Sequence, residues 1–338
     1  MKRLKMLLAA GLIALAAGFA PVATAHAADG DVPTVAQSGK PTMDENWRNV
    51  RQGEAGIVVG QPPSRGVLIQ SEGETWRAVR NGKLALFGGI AIVGVALAIT
   101  GFYFWRGTIR MEGGPSGKLI LRFKTIERVG HWMTAGSFLV LAFTGLMLLF
   151  GRWIVVPWLG HSAFSWFAMI GKWLHNVGGF VFMGGLAIIL VLWAKDNLWD
   201  RYDWNWIVKG GGLLIKGEHP PAAKFNFGQK TQYWMVILVG ALVSFTGVNL
   251  IFPYVMVDLH GMQIMHLLHA AAAIVMILFM LGHIYIGTIG MEGASSAMTT
   301  GYVDLEWARE HHAAWVEEEE AKGDQPVWIK DGLKASQK

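Results

Sequence analysis

The segment HAAAAIVMILFMLGH, His269 to His283, carries two imidazoles fourteen residues apart with nothing ionisable between them. On an α-helix that spacing is about four turns less roughly 40°, so both rings leave nearly the same face, about 21 Å apart along the axis. Two further histidines stand in apolar surroundings, His131 after Arg128-Val129-Gly130 and His175 between Leu174 and Asn176. Neutral imidazole binds haem iron well, and a second imidazole from another helix closes the sixth position, which favours electron transfer over ligand chemistry. The competing role is plainer, since a lone intramembrane histidine often serves only to hydrogen-bond neighbouring helices.

The elements that must hold these side chains are membrane helices. Of 338 residues, 53% are hydrophobic and 16% charged, with 16 Trp, 17 Phe and 43 Gly, too apolar for an ordinary soluble domain. Five windows reach the roughly 20 apolar residues a bilayer requires: Leu84–Trp105, Val129–Phe150, Trp173–Ala194, Gln232–Phe252 and Met265–Ile289. Lipid offers backbone polar groups no partner, so these runs are helices and the fold class is an all-α membrane protein. Residues 1–27 have a basic start, an apolar stretch Met6–Ala20 and an Ala25-His26-Ala27 cleavage motif, the pattern of a signal peptide. The alternative is an uncleaved sixth span, shortened by Pro21. Residues 28–82 are polar, rich in Gly, Pro, Ser and Glu, and without periodicity, an irregular exported segment.

Charge orients the spans. Arg106, Arg110, Lys118, Arg122, Lys124 and Arg128 crowd one connection, and Lys195, Arg201, Lys209, Lys216, Lys224 and Lys230 another. Both are expected in the cytoplasm, whereas 151–172, with Arg152 and Lys172, and 253–264, with no Lys or Arg, face outward. An exported start predicts the same orientation, and this topology accounts for the net charge of +5 without a nucleic-acid partner. The tail from residue 296 is then cytoplasmic, a surface helix with a frayed end. Cysteine is absent, which excludes thiolate-held clusters and covalently attached c-type haem.

On this topology His175 and His269 lie at the outer level and His131 and His283 at the inner level, each pair joining two helices, as two bis-histidine haems require. His266 competes with His269 for the outer position. Gly136, Gly145, Gly178, Gly179, Gly184, Gly185, Gly240 and Gly247 fit either a flat macrocycle between helices or ordinary small-residue packing. His161, His219, His260, His311 and His312 fall in loops or the tail, where solvated roles are the default.

The motifs RFKTIERVGHW (122–132), KWLHNVGGF (172–180), KFNFGQKTQYW (224–234), LLHAAAAIVMILFMLGHIYIG (267–287) and EWAREHH (306–312) resemble the gamma subunit of membrane-bound respiratory formate dehydrogenase, a dihaem cytochrome b. The resemblance covers about residues 120–315 and implies a four-helix cytochrome b domain (120–295), followed by a tail from 296 to 338; the signal peptide, the exported segment and the one additional N-terminal transmembrane helix (83–106) depart from it, having no counterpart in the family's four-helix form. It implies two haem b groups, held by His175 with His269 and by His131 with His283. It also implies a quinone, menaquinone or ubiquinone, beside the inner haem, with Asn226 and Gln229 as candidates for its carbonyl; both equally suit an N-cap of the fourth span. The implied partners are an iron–sulfur beta subunit, a molybdenum or tungsten pterin alpha subunit and membrane lipid, in a complex open to higher oligomers. The implied location is a bacterial inner membrane, and the implied role is electron transfer without substrate chemistry beyond the quinone. The rival readings are a cytochrome b of a hydrogenase or another molybdoenzyme, and a haem-free transporter or structural subunit.

Overall fold

The computed structural model describes residues 47–48, 51–52, 56–57, 67–69, 72–212, 218–323 and 327–328. The expected signal peptide and most of the segment 28–82 lie outside these residues. Five described helices have the length and composition to cross a membrane: Gly73–Arg106, Thr125–Ile154, Val156–Trp193, Phe227–Ile251 and Leu259–Gly290, with mean hydropathy between 2.0 and 2.3. The protein is an all-α multi-pass membrane chain, and each helix covers its apolar window to within one residue before running past it. The overrun has a local cause, because an apolar window marks only the lipid-facing length and misses polar capping turns. The second span, for example, starts where the Glu127 carboxylate folds back to accept the Lys124 N–H at 2.7 Å.

The connection 151–172, expected as a loop, is instead mostly helical. The second span ends at Ile154, and a helix resumes at Val156 with Pro157 in its first turn, where a missing N–H is harmless. The break is at Gly160, whose φ of 77° is one that side-chain-bearing residues resist.

Two compact units divide the chain, one of residues 1–93 with 248–271, the other of residues 94–247 with 272–338. In the first, Gly56–Ile57 pairs antiparallel with Val67–Ile69, and the opening turns of the first span include a π-helical stretch, Val79–Leu84. In the second, glycines let the second and third spans come close. A Cβ on Gly185 would lie 2.8 Å from the backbone nitrogen of Thr134, and one on Gly130 2.7 Å from Ile188. These two glycines therefore serve helix packing, while Gly136, Gly179 and Gly282 have nothing within 4 Å.

The basic end of the second unit is a built layer. Lys118–Leu121 is the centre of a three-stranded antiparallel sheet flanked by Tyr302–Asp304 and Val327–Trp328. Asp304 caps the helix Leu305–Ala321 by accepting the Glu306 N–H at 2.9 Å. This corrects the expectation of a surface helix: Leu305, Trp307, Ala308, His312, Ala314, Trp315 and Val316 are all buried, while most of the expected frayed end lies outside the described residues. Their burial follows from residue type, since the polar run 317–320 is confined to the last turns and the preceding stretch carries Trp and Ala on the face that meets the sheet and the 222–225 loop.

Candidate functional site

Two of the sequence-selected histidines meet. His131, near the start of the second span, and His283, near the end of the fifth, have ring centroids 6.3 Å apart and planes inclined at 52°. A metal–imidazole nitrogen bond is about 2 Å long, which sets the ring centres of two axial ligands on one metal roughly 6 to 6.5 Å apart. His131 Nδ1 is buried and has no hydrogen-bond partner among the described residues. That orphaned nitrogen counts against a role confined to bridging helices, because a bridging histidine is there to make hydrogen bonds. The donor set and the separation both fit haem iron.

His175 is positioned differently. Its Nδ1 lies 2.8 Å from Thr144 Oγ1, and the same hydroxyl lies 2.7 Å from the Val140 carbonyl and 3.3 Å from that of Leu141. A hydroxyl has one proton, and it is directed at the helix carbonyls, so Oγ1 accepts from His175 Nδ1–H. The tautomer so selected keeps the lone pair on Nε2, the arrangement that outer-shell partners impose on metal-binding histidines. Thr144 is 3% exposed, and Gly145 beside it leaves a Cβ position 3.3 Å from the imidazole edge. Neither Thr144 nor this contact is visible in the sequence, where the two residues stand 31 apart.

His269 belongs to the first unit and His175 to the second. Within the first unit, His266 is engaged elsewhere: Arg80 Nε donates to its Nε2 at 3.3 Å, and the Trp76 ring lies 5.5 Å from its own. The competitor for the outer position is thereby held by the first span.

Asn226 and Gln229 form a reciprocal cap at the start of the fourth span. Gln229 N–H donates to Asn226 Oδ1 at 2.9 Å and Asn226 N–H to Gln229 Oε1 at 3.1 Å. Capping uses only the side-chain oxygens, whereas a quinone carbonyl would need the amide N–H donors, so the two roles are compatible. A cavity of about 320 Å³ opens beside this turn, lined by Asn197, Trp199, Phe227, Lys230 and Trp234. Lys230 is 3% exposed and ion-paired with Asp200 at 2.7 Å and Asp203 at 2.8 Å. Nearby, Glu127 accepts from Lys224 Nζ and Trp193 Nε1, both at 2.8 Å, and Lys224 also reaches Asp196 at 3.1 Å.

The tail histidines correct the expectation of solvated roles. His312 is fully buried, with Nε2 3.0 Å from Arg122 Nη2 and Nδ1 2.8 Å from the Ala223 carbonyl. Arg122, itself 4% exposed, also donates to the Lys224 carbonyl at 2.6 Å, with its guanidinium carbon 5.3, 5.4 and 5.1 Å from the Phe123, Trp307 and Trp315 rings. Burial, and then the Arg122 charge, push the His312 pKa well below its usual value; burial, His219 and Arg122 lower His311 to about 4. These residues assemble the layer. His260 meets the exposed Glu72 carboxylate, and His219 lies 3.6 Å from that of Glu112.

The model of one protein family, prokaryotic cytochrome b561, matches residues 122–301. The nitrate-inducible formate dehydrogenase cytochrome b556(Fdn) subunit of Escherichia coli is 30% identical over 213 residues, 61% of this chain and 95% of that protein. The Escherichia coli formate dehydrogenase cytochrome b556(fdo) subunit is 28% identical over 207 residues, 59% of this chain and 92% of that protein. A formate dehydrogenase cytochrome b556 subunit from Haemophilus influenzae is 28% identical over 205 residues, 59% and 83% of the respective chains.

Proposed function

The chain belongs to the prokaryotic cytochrome b561 family, and we propose that it is the membrane cytochrome b subunit of a formate dehydrogenase, passing electrons from an iron–sulfur partner to quinone. The observation that carries this reading is the His131–His283 pair, 6.3 Å between ring centroids with a buried Nδ1 that has no partner among the described residues, in a chain similar to proteins named as formate dehydrogenase cytochrome b556 subunits. His131 and His283 hold one haem b near the basic end, and His175 with His269 holds a second near the exported end. When bound, the two haems supply one-electron relay chemistry across the membrane. Thr144 fixes the His175 tautomer. The Asn226 and Gln229 amides donate to a quinone carbonyl, with the aromatic cavity at Trp199, Phe227 and Trp234 beside them to receive the ring.

The partners are the iron–sulfur beta subunit and a molybdenum or tungsten pterin alpha subunit. The chain sits in a bacterial inner membrane, with residues 1–27 removed as a signal peptide, 28–82 exported, and the 106–128 and 195–230 connections in the cytoplasm. With formate oxidised outside and quinone protonated from the cytoplasm, turnover builds membrane potential.

The test is a reduced-minus-oxidised absorbance spectrum with haem-to-protein stoichiometry on the purified full chain and on its histidine variants. Two b haems are expected in the wild type. His131→Ala and His283→Ala each remove the same haem, and His175→Ala and His269→Ala the other. A wild-type chain without haem overturns the reading, and co-purification with a hydrogenase instead of a formate dehydrogenase redirects it.

A further inference from the structure

The first span lies outside the residues matched by the family model, yet its opening turns bear on the fifth span. Arg80 hydrogen-bonds only neutral groups among the described residues: Nε to His266 Nε2 at 3.3 Å and Nη1 to Asn81 Oδ1 at 2.7 Å. Arginine cannot accept, so His266 Nε2 does, and that imidazole is neutral rather than a counter-charge. A half-buried guanidinium with no carboxylate beside it among the described residues is short of a counter-anion. A second donor points the same way. Trp76, whose ring lies 5.5 Å from His266, has a buried Nε1–H with no acceptor among the described residues. A guanidinium without a carboxylate and an indole N–H without an acceptor thus gather at His266, which stands one helical turn before His269 on an adjoining strip of the same helix.

From this juxtaposition, and resting on the two-haem reading above, we propose that Arg80 and Trp76 form the seat for the anionic carboxylate edge of the haem held at the exported end. A b haem carries propionate side chains, and a guanidinium is the side chain suited to binding a carboxylate. The first span is then more than an extra anchor, since it brings a cation to the cofactor of a domain whose family match begins only at residue 122.

The experiment is a potentiometric titration of both haems in the full chain, for wild type, Arg80→Gln, Arg80→Lys and Trp76→Phe. A nearby positive charge favours the reduced haem, so Arg80→Gln is expected to lower the midpoint of the haem that His269→Ala removes. The size is on the order of tenfold in its reduction equilibrium, about 59 mV for one electron. Arg80→Lys restores most of the shift, Trp76→Phe gives a smaller shift of the same sign, and the other haem does not move. Two haems whose midpoints are unchanged in Arg80→Gln overturn the seat and assign Arg80 to packing or to a lipid headgroup, as does an equal shift of both. A wild-type chain lacking haem overturns the parent reading instead.

Discussion

His312 is fully buried and so is the Nδ1 of His131, but the ring nitrogens of the two residues are used in opposite ways. In the layer at the basic end, both nitrogens of His312 are bonded, one to a guanidinium and one to a backbone carbonyl. Within the second span, His131 faces His283 with its Nδ1 lacking a hydrogen-bond partner among the described residues. Buried polar groups are nearly always satisfied, so the satisfied histidine reads as architecture and the unsatisfied one as a residue kept for something the protein binds. The contrast also separates two kinds of basic residue. Arg122 and Lys230 count in the sequence among the charges expected to orient the spans, and both are buried as structural members.

The strongest way to break this contrast is to remove a layer residue and show that only the cofactor suffers. Arg122→Ala strips His312, the Lys224 carbonyl and three aromatic rings of their shared cation. It is expected to destabilise the folded chain by roughly 3 kcal/mol, since breaking a buried charged network leaves its partners unpaired. Thermal unfolding in detergent would show a lowered midpoint with the haem spectrum of the folded fraction intact. Loss of haem at unchanged stability would erase the distinction between the two regions.

A smaller effect sharpens the interior side. Thr144→Val keeps the shape of the side chain and deletes the hydroxyl that accepts from His175 Nδ1–H. Removing such an outer-shell partner typically weakens metal binding by about 10- to 100-fold. The expected outcome is selective, slow loss of the haem proposed at His175 and His269, followed by absorbance during dilution or competition with apo-myoglobin, while the haem proposed at His131 and His283 stays bound. Equal retention of both would reduce Thr144 to a helix-packing residue.

What could be read in the sequence was what depends on local pattern. Apolar runs announced the five spans, and the two roles open to Asn226 and Gln229 included the N-cap that their hydrogen bonds form. The boundaries were less legible, because Glu127 and Pro157 extend helices beyond the apolar windows through capping and first-turn geometry that hydropathy does not register. Least legible were the long-range pairs. Arg80 meets His266 across 186 residues, and Arg122 meets His312 across 190. No periodicity encodes such contacts; they exist only once the helices are placed. The tail was misjudged for the same reason, since Trp307 and Trp315 acquire an inward face only when the central strand Lys118–Leu121 is there to cover.

Acidification is the mildest probe of the layer. Three causes push the His312 pKa well below 6.5: burial first, then the Arg122 charge, with a smaller push from His311, against the Ala223 carbonyl bond that raises it. The bonding shows why, since a proton on Nε2 would meet the Arg122 donor instead of accepting from it. The unfolded chain takes up that proton near pH 6.5, while the folded chain stays neutral until far lower pH. Between those values the unfolded state binds more protons, so stability is full above pH 6.5 and falls as the pH drops. From pH 6.5 to 5.5 the loss attributable to His312 is about 1 kcal/mol, and His311, lowered to about 4, acts in the same direction. Limited proteolysis of the tail, in detergent at pH 7.5 and 5.5, should therefore show faster cleavage at the lower pH. His312→Gln should reduce that difference while lowering stability at both. A pH-independent rate in the wild type would mean that His312 titrates alike in the folded and unfolded chain, and would remove it from the set of buried, doubly bonded histidines that define the layer.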